Sequence, residues 1–142
     1  MKQSVSLITL VARDIKKLAR FYESLGWERF EDAEGMVTFG MIGQTLGINS
    51  LEALAKETGV PEEKYGRWAK ALTHNVPTKE DVAGVLRRVE AAWAKVLKVA
   101  QNVIWGGHFG CFSDLEGHIW EVMWNQHLPL APKGELQWKS VE

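Results

Sequence analysis

The chain has a single cysteine, Cys111, among its 142 residues, so no intramolecular disulfide can form. A lone thiol suits a reducing compartment, and we therefore expect a cytoplasmic protein. No histidine or other base accompanies Cys111 in a recognisable motif. We interpret it as a small strand residue and not as a nucleophile.

The sequence also has no long apolar run and no excess of basic or acidic side chains. No window approaches the roughly 18 apolar residues that span a bilayer. The 17 basic and 18 acidic side chains balance, which excludes the electrostatic footprint of a protein that binds nucleic acid or an anionic membrane. We therefore expect a small-molecule ligand as the partner, with no nucleic acid and no membrane.

Residues 105–125 form the most informative stretch, which is predicted to be a strand, a tight turn and a second strand. Asp114 begins the turn and can accept hydrogen bonds from backbone amides two residues on, while Gly117 tolerates a positive φ. Glu121 then stands in the middle of an apolar strand. Because an unpaired buried carboxylate is costly, Glu121 is expected to face a polar or water-filled cavity. The alternative is an edge strand with Glu121 simply in solvent.

The first half of the chain predicts a β-α-β-β-β unit. A strand over residues 4–12 leads to Asp14, a helix N-cap, and apolar residues three to four apart predict a helix that ends at Gly26. A short linker helix at residues 51–58 follows Ser50 as its cap. Three more strands complete the unit, at residues 27–30, 36–39 and 44–49, with a turn at 32–35.

From residue 68 the same pattern begins again. A strand over residues 68–76 precedes Thr78, which is a helix N-cap with Asp81 three residues later, the spacing of a capping box. Trp93 stands where such a helix would usually end at a glycine, so the sequence does not define the last residue of the helix. The inner face of the helix is predicted to hold Val82, Val85, Leu86 and Val89.

The matching order of elements indicates an internal duplication; the aligned segments are residues 7–14 with 71–78 and 43–47 with 117–121. The duplication predicts an α+β fold of two β-α-β-β-β modules within one structural domain, residues 1–66 with the linker helix and residues 67–142 with a C-terminal tail. One helix cannot cover both faces of a four-stranded sheet. We therefore expect a cupped eight-stranded mixed sheet with the helices outside and a cavity inside.

Strand alternation selects the side chains that face this cavity. Glu121 is the candidate catalytic or anchoring group. The candidate substrate-binding residues are Leu7, Thr9, Val11, Thr73, Asn75, Trp105, Ile119 and Met123. The intervening residues of the first strand of each module are expected to pack under the helices, namely Ile8, Leu10, Leu72 and Val76.

Four segments carry a family likeness, namely Leu10-Val-Ala-Arg-Asp14, residues 21–27, Trp105-Gly-Gly and residues 114–122. Together they resemble the glyoxalase, bleomycin-resistance and extradiol-dioxygenase superfamily, the vicinal oxygen chelate proteins. In metal-dependent members, the first and last strands of each module supply the ligands of one divalent ion. These positions fall at Leu7, Gly47, Ala71 and Glu121.

Only Glu121 of these four positions can bind a metal, whereas stable protein sites offer three or more ligands. The four histidines are not expected to substitute, since His74 points away from the cavity and His118 lies in the hairpin turn. We therefore expect no cofactor and no tightly bound metal. A divalent ion at Glu121 is the alternative.

Two functions from different classes are open. The first is a metal-free small-molecule binding protein that holds its ligand in the cavity, unless methionine and tryptophan side chains fill that cavity. The second is a glyoxalase-like lyase or isomerase, or a dioxygenase-related enzyme, with Glu121 as general base or metal ligand. An enolate would then need Thr9, Thr73, Asn75 or backbone amides near Gly106 and Gly107. The resemblance and the seven tryptophans also predict a homodimer.

Overall fold

The computed structural model describes residues 1, 5–31, 36–66 and 71–136. The chain divides into two compact units, Met1–Ala69 and Lys70–Glu142, and each unit contains one four-stranded mixed sheet. Both have the order β-α-β-β-β, so the predicted α+β class and the repeated module are confirmed. The predicted turn at 32–35, the first residues of the strand predicted from residue 68, and the last residues of the tail lie outside the described residues.

The elements of the first unit are β1 (Leu7–Val11), α1 (Ile15–Ser24), β2 (Arg29–Glu31), β3 (Val37–Met41), β4 (Gln44–Asn49) and α2 (Leu51–Thr58). A 3-10 turn at Glu62–Lys64 follows. The sheet order is β1-β4-β3-β2, and β1 runs parallel to β4. β2 starts two residues later than predicted because Trp27 leaves the strand and stacks on Tyr22, with ring centroids 4.7 Å apart.

The helix α1 covers one face of the first sheet. Asp14 caps its first turn by accepting from the Lys17 amide at 3.0 Å, and Gly26 follows its end with a φ of 96°. The buried side chains of helix and sheet form an apolar core, which contains Leu10, Leu18, Phe21, Tyr22, Phe39, Leu46 and Ile48. The other residues of each strand therefore project from the opposite face.

The elements of the second unit are β5 (Ala71–Asn75), α3 (Lys79–Ala91), β6 (Lys95–Asn102), β7 (Gly107–Ser113) and β8 (Ile119–Asn125). The sheet order is β5-β8-β7-β6, with β5 parallel to β8 and β7 antiparallel to both neighbours. The predicted capping box of Thr78 and Asp81 is present at the start of α3. Within the described residues, no helix is long and apolar enough to cross a membrane.

The helix α3 ends in a Schellman motif that has a tryptophan in the glycine position. The amide of Ala94 donates to the carbonyl of Val89 and that of Trp93 to the carbonyl of Glu90, both at 3.0 Å. Trp93 has a φ of 73°, the left-handed region that costs an L-residue about 1–2 kcal/mol. Its side chain is 88% exposed, so little packing offsets this strain.

The Trp93→Gly variant is expected to raise the free energy of unfolding by about 1 kcal/mol, because glycine adopts a positive φ without a steric penalty. The matched Trp93→Ala variant removes the same ring but keeps the strain, and should show no gain. Chemical denaturation followed by circular dichroism measures both. Equal stability of the two variants would contradict the strain at Trp93.

Candidate functional site in the second module

The turn between β7 and β8 is built around a buried carboxylate. Asp114 is 4% exposed and accepts hydrogen bonds from the amides of Glu116 and His118, each at 2.9 Å. The ring Nδ1 of His118 lies 2.8 Å from the same carboxylate. Gly117 closes the turn with a φ of 87° and donates its amide to the carbonyl of Asp114 at 3.1 Å. The predicted turn is confirmed, and it sets the register of β8 against β7.

That register places Glu121 in the middle of the sheet, between Thr73 of β5 and Cys111 of β7. The hydroxyl of Thr73 donates to Oε2 of Glu121 at 3.1 Å, and Glu121 is half-buried. On the opposite face of β8, Trp120 and Val122 are buried. Glu121 is therefore a partly buried, oriented carboxylate on the sheet face that α3 leaves uncovered, and not a side chain free in solvent.

The other predicted residues of the second module lie on this same uncovered face. Asn75 pairs with Met123, and Ile119 is next to Glu121 in the β8 alternation. The ring of Trp105 fills the space that a side chain at Gly107 would need. Gly107 pairs with Asn125, and Asn125 lies on the same side of β8 as Glu121 and Met123. Trp105 therefore covers this face at the end of β8 that is farthest from the hairpin turn. The structure therefore brings Thr73, Asn75, Trp105, Ile119 and Met123 together with Glu121.

The predicted residues of the first module line the corresponding face of their own sheet. Thr9 pairs with Gly47, as Thr73 pairs with Glu121. Leu7 and Val11 flank Thr9 in the alternation of β1. A side chain at Gly47 would overlap the methyl group of Met36, so a thioether fills the place where the second module has a carboxylate. The grouping of Leu7, Thr9 and Val11 with Glu121 stays a prediction.

The side chains at the family's metal positions do not fit a divalent ion. Leu7, Gly47 and Ala71 offer no donor atom, and the described part of the chain contains no group of three or more His, Cys, Asp or Glu residues placed to hold a metal. His74 pairs with the buried Val122 and so belongs to the helix-covered face, as predicted, where burial lowers its pKa.

Backbone donors for an enolate are scarce at the edge of this face. The amide of Gly106 already donates to the carbonyl of Val103 at 3.0 Å. The hydroxyl of Thr73 is directed at Glu121. These two donors are therefore already engaged, and a role of Thr9, Asn75 or the Gly107 amide toward an oxyanion stays a prediction.

Further side chains share the uncovered face and were not predicted as site residues, among them Cys111, Lys98 and Phe109. Cys111 pairs with Glu121, Lys98 pairs with Cys111, and the Nζ of Lys98 lies 5.1 Å from the ring centroid of Phe109. The sequence analysis placed no strand at residues 95–102, so alternation could not select Lys98, and β6 also contains two register irregularities. Extending the alternation of β7 would have been enough to find Phe109 and Cys111.

The fold and the site define a protein of two β-α-β-β-β modules whose second sheet carries an oriented carboxylate on its uncovered face. A family model described as the Glyoxalase/Bleomycin resistance protein/Dioxygenase superfamily matches residues 4–122. The chain therefore belongs to this superfamily, and the resemblance seen in the sequence is confirmed. The comparison with curated proteins gives no match.

Solved structures agree with this assignment. The chain is 30% identical to a glyoxalase-related enzyme from Fulvimarina pelagi, with a TM-score of 0.88, covering 98% of this chain and 100% of that one. It is 20% identical to a glyoxalase/bleomycin resistance protein/dioxygenase family enzyme from Burkholderia phytofirmans, with a TM-score of 0.76, covering 85% and 98%. A lactoylglutathione lyase from Agrobacterium tumefaciens is 19% identical, with a TM-score of 0.67 and coverage of 89% and 97%. The last two show the shared fold alone.

The hydrogen bond between Thr73 and Glu121 can be measured in a double-mutant cycle. Thr73→Val is expected to cost about 1 kcal/mol more in the wild type than in a Glu121→Ala background, because only the wild type has the acceptor. Thr78→Val is the control, since the Thr78 hydroxyl bonds to Asp81 at the start of α3 and its cost should be the same in both backgrounds. Chemical denaturation gives the free energies, and equal costs of Thr73→Val in both backgrounds would refute the bond.

Proposed function

We propose that the protein is a small-molecule binding protein of this superfamily that uses Glu121, oriented by Thr73, as the polar anchor of its ligand. The hydrogen bond between these residues carries the proposal, because it orients a carboxylate on a face that also presents apolar side chains. Ile119 and Met123 offer apolar contacts on either side of the anchor. A carboxylate acceptor next to apolar and aromatic surface suits a ligand with an apolar body and a positive or hydrogen-bond-donating group.

The donor set supports binding without a metal. Glu121 is the single carboxylate among the four positions that correspond to the family's ligands, and the described residues offer no cluster of three metal-binding side chains. We therefore propose a metal-free site. We also propose the cytoplasm as its location, because the single unpaired cysteine suits a reducing compartment.

An enzymatic role is the second candidate, and the structure of the relative from Fulvimarina pelagi, described as a glyoxalase-related enzyme, favours it. Glu121 would then act as the general base on a carbon next to a carbonyl group. The engaged amide of Gly106 counts against this role. Turnover of a 2-oxoaldehyde with a thiol, stimulated by a divalent ion and lost in Glu121→Gln, would reverse our ranking.

We further propose a homodimer, since seven tryptophans exceed what small cores comfortably bury and tryptophan is enriched at interfaces. Light scattering at micromolar concentration is expected to give twice the 16.0 kDa of one chain. A monomeric mass under these conditions would refute the dimer.

Binding is tested by tryptophan fluorescence with a panel of aromatic and cationic small molecules that includes 2-phenylethylamine. Trp105 lies on the same face as Glu121, so its emission should respond to an occupant. Glu121→Gln is expected to weaken the binding of cationic members about tenfold by removing the charge of the anchor. Glu80→Gln, the same change on the exposed start of α3, should leave affinity unaltered. Silence across the whole panel would contradict a binding function.

A further inference from the structure

A single row of polar side chains crosses the whole second sheet. Thr73, Glu121, Cys111 and Lys98 come from four different strands, and each is the register partner of the next. Neighbouring strands lie about 4.8 Å apart, which puts the backbones of Glu121 and Lys98 roughly 10 Å from each other. The row therefore contains a negative group, Glu121, and a positive group, Lys98, at a separation that a small molecule can span.

Lys98 is held on this face and does not simply extend into solvent. Its ammonium lies 5.1 Å from the ring centroid of Phe109, within the range of a cation–π interaction. Phe109 pairs with Met123, so its ring is on the same face as Glu121. The aromatic contact directs the positive charge over the sheet, where it can receive a ligand.

The backbone of β6 is shaped to put Lys98 there. The register of β6 shifts between Val96 and Lys98 and again before Gln101. A side chain at Gly110 would overlap the carbonyl of Lys98 and the Leu86 side chain of α3. The absence of a side chain at Gly110 therefore lets the irregular strand and the helix approach each other, and it accommodates the shift that brings Lys98 into the row.

Cys111 keeps the two charges apart. It lies between Glu121 and Lys98, and burial together with the charge of Glu121 raises the pKa of its thiol, whereas Lys98 opposes this rise. The thiol therefore stays neutral near pH 7. A small neutral group therefore separates Glu121 and Lys98 along the row.

The first module offers no such pair. In the described strands of its sheet, the residues in register on the uncovered face carry no charge; they are Leu7, Thr9, Val11, Phe30, Thr38, Gly40, Thr45, Gly47 and Asn49. The separated charges are thus a feature of the second module. A general property of the fold would have appeared in both sheets.

We propose that Lys98, supported by Phe109, forms an anion subsite, and that the ligand is an amphoteric small molecule. Its carboxylate or other anionic group is bound by Lys98, and its cationic or hydrogen-bond-donating group is bound by Glu121. The apolar body of the ligand lies across Cys111 and Met123. This inference rests on the proposed binding function and specifies the class of ligand.

Two matched compounds test the subsite by isothermal titration calorimetry with the full chain. Both 2-phenylethylamine and 4-(2-aminoethyl)benzoate carry the same ammonium and ring, and only the second carries a carboxylate. Wild-type protein is expected to bind the benzoate about tenfold more tightly, because a charge-assisted contact is added. Lys98→Met removes the charge but keeps an unbranched apolar side chain, and it should abolish this preference without weakening the binding of 2-phenylethylamine, because the loss of a positive charge cannot disfavour a cation.

Two control variants show whether the preference for the carboxylate depends on the positive charge at position 98. Lys98→Arg retains the positive charge and should retain the preference, whereas Lys95→Met removes another charge from β6 and should not affect it. Equal affinity of the wild type for both compounds, or an equal loss in Lys95→Met, would overturn the subsite and leave the binding function in place. Failure of both compounds to bind at millimolar concentration would overturn the subsite and the proposed function together.

Discussion

Each four-stranded sheet buries one face beneath a single helix, and this one-sided burial determines the role of every strand residue. In the second module, Val82, Leu86 and Val89 of α3 are buried on the helix side. Trp120 and Val122 are buried on β8, so the residues that alternate with them along the strand must project from the other face. A polar side chain at Glu121 is tolerated because the opposite face supplies the apolar core, and the face that α3 leaves uncovered can carry polar groups.

The hairpin turn between β7 and β8 fixes which residues of β8 lie on each face of the second sheet. If β8 shifted by one residue against its neighbours, Glu121 would enter the core and Val122 would become exposed. Asp114 opposes such a shift because its carboxylate accepts two amides of the turn at 2.9 Å. The contact between Thr73 and Glu121 therefore depends on a carboxylate in a different part of the hairpin. The orientation of the candidate anchor is a product of the turn as much as of the strand.

The features that could be predicted from the sequence are those with a local cause. β4 and α2 have the predicted bounds, because Gly43, Ser50 and Gly59 mark their ends through turn and cap chemistry. The late start of β2 was missed because Trp27 is held by its stacking on the ring of Tyr22, a tertiary contact. Lys98 was missed because no strand was predicted at residues 95–102, and its face also depends on a shift of β6 that requires space at Gly110 of another strand. The methyl group of Met36 above Gly47 is likewise visible only in three dimensions.

The irregular backbone of β6 has a second consequence. β6 is an outer strand of its sheet, and Leu97 and Val99 on it are 46% and 69% exposed. A straight outer strand with such side chains would be a template for intermolecular strand addition and aggregation. The two register shifts interrupt the row of outward-facing amides and carbonyls, and Lys95 and Lys98 add charge to it. The same irregular backbone that places Lys98 in register with Cys111 therefore makes this sheet edge a poor template for strand addition.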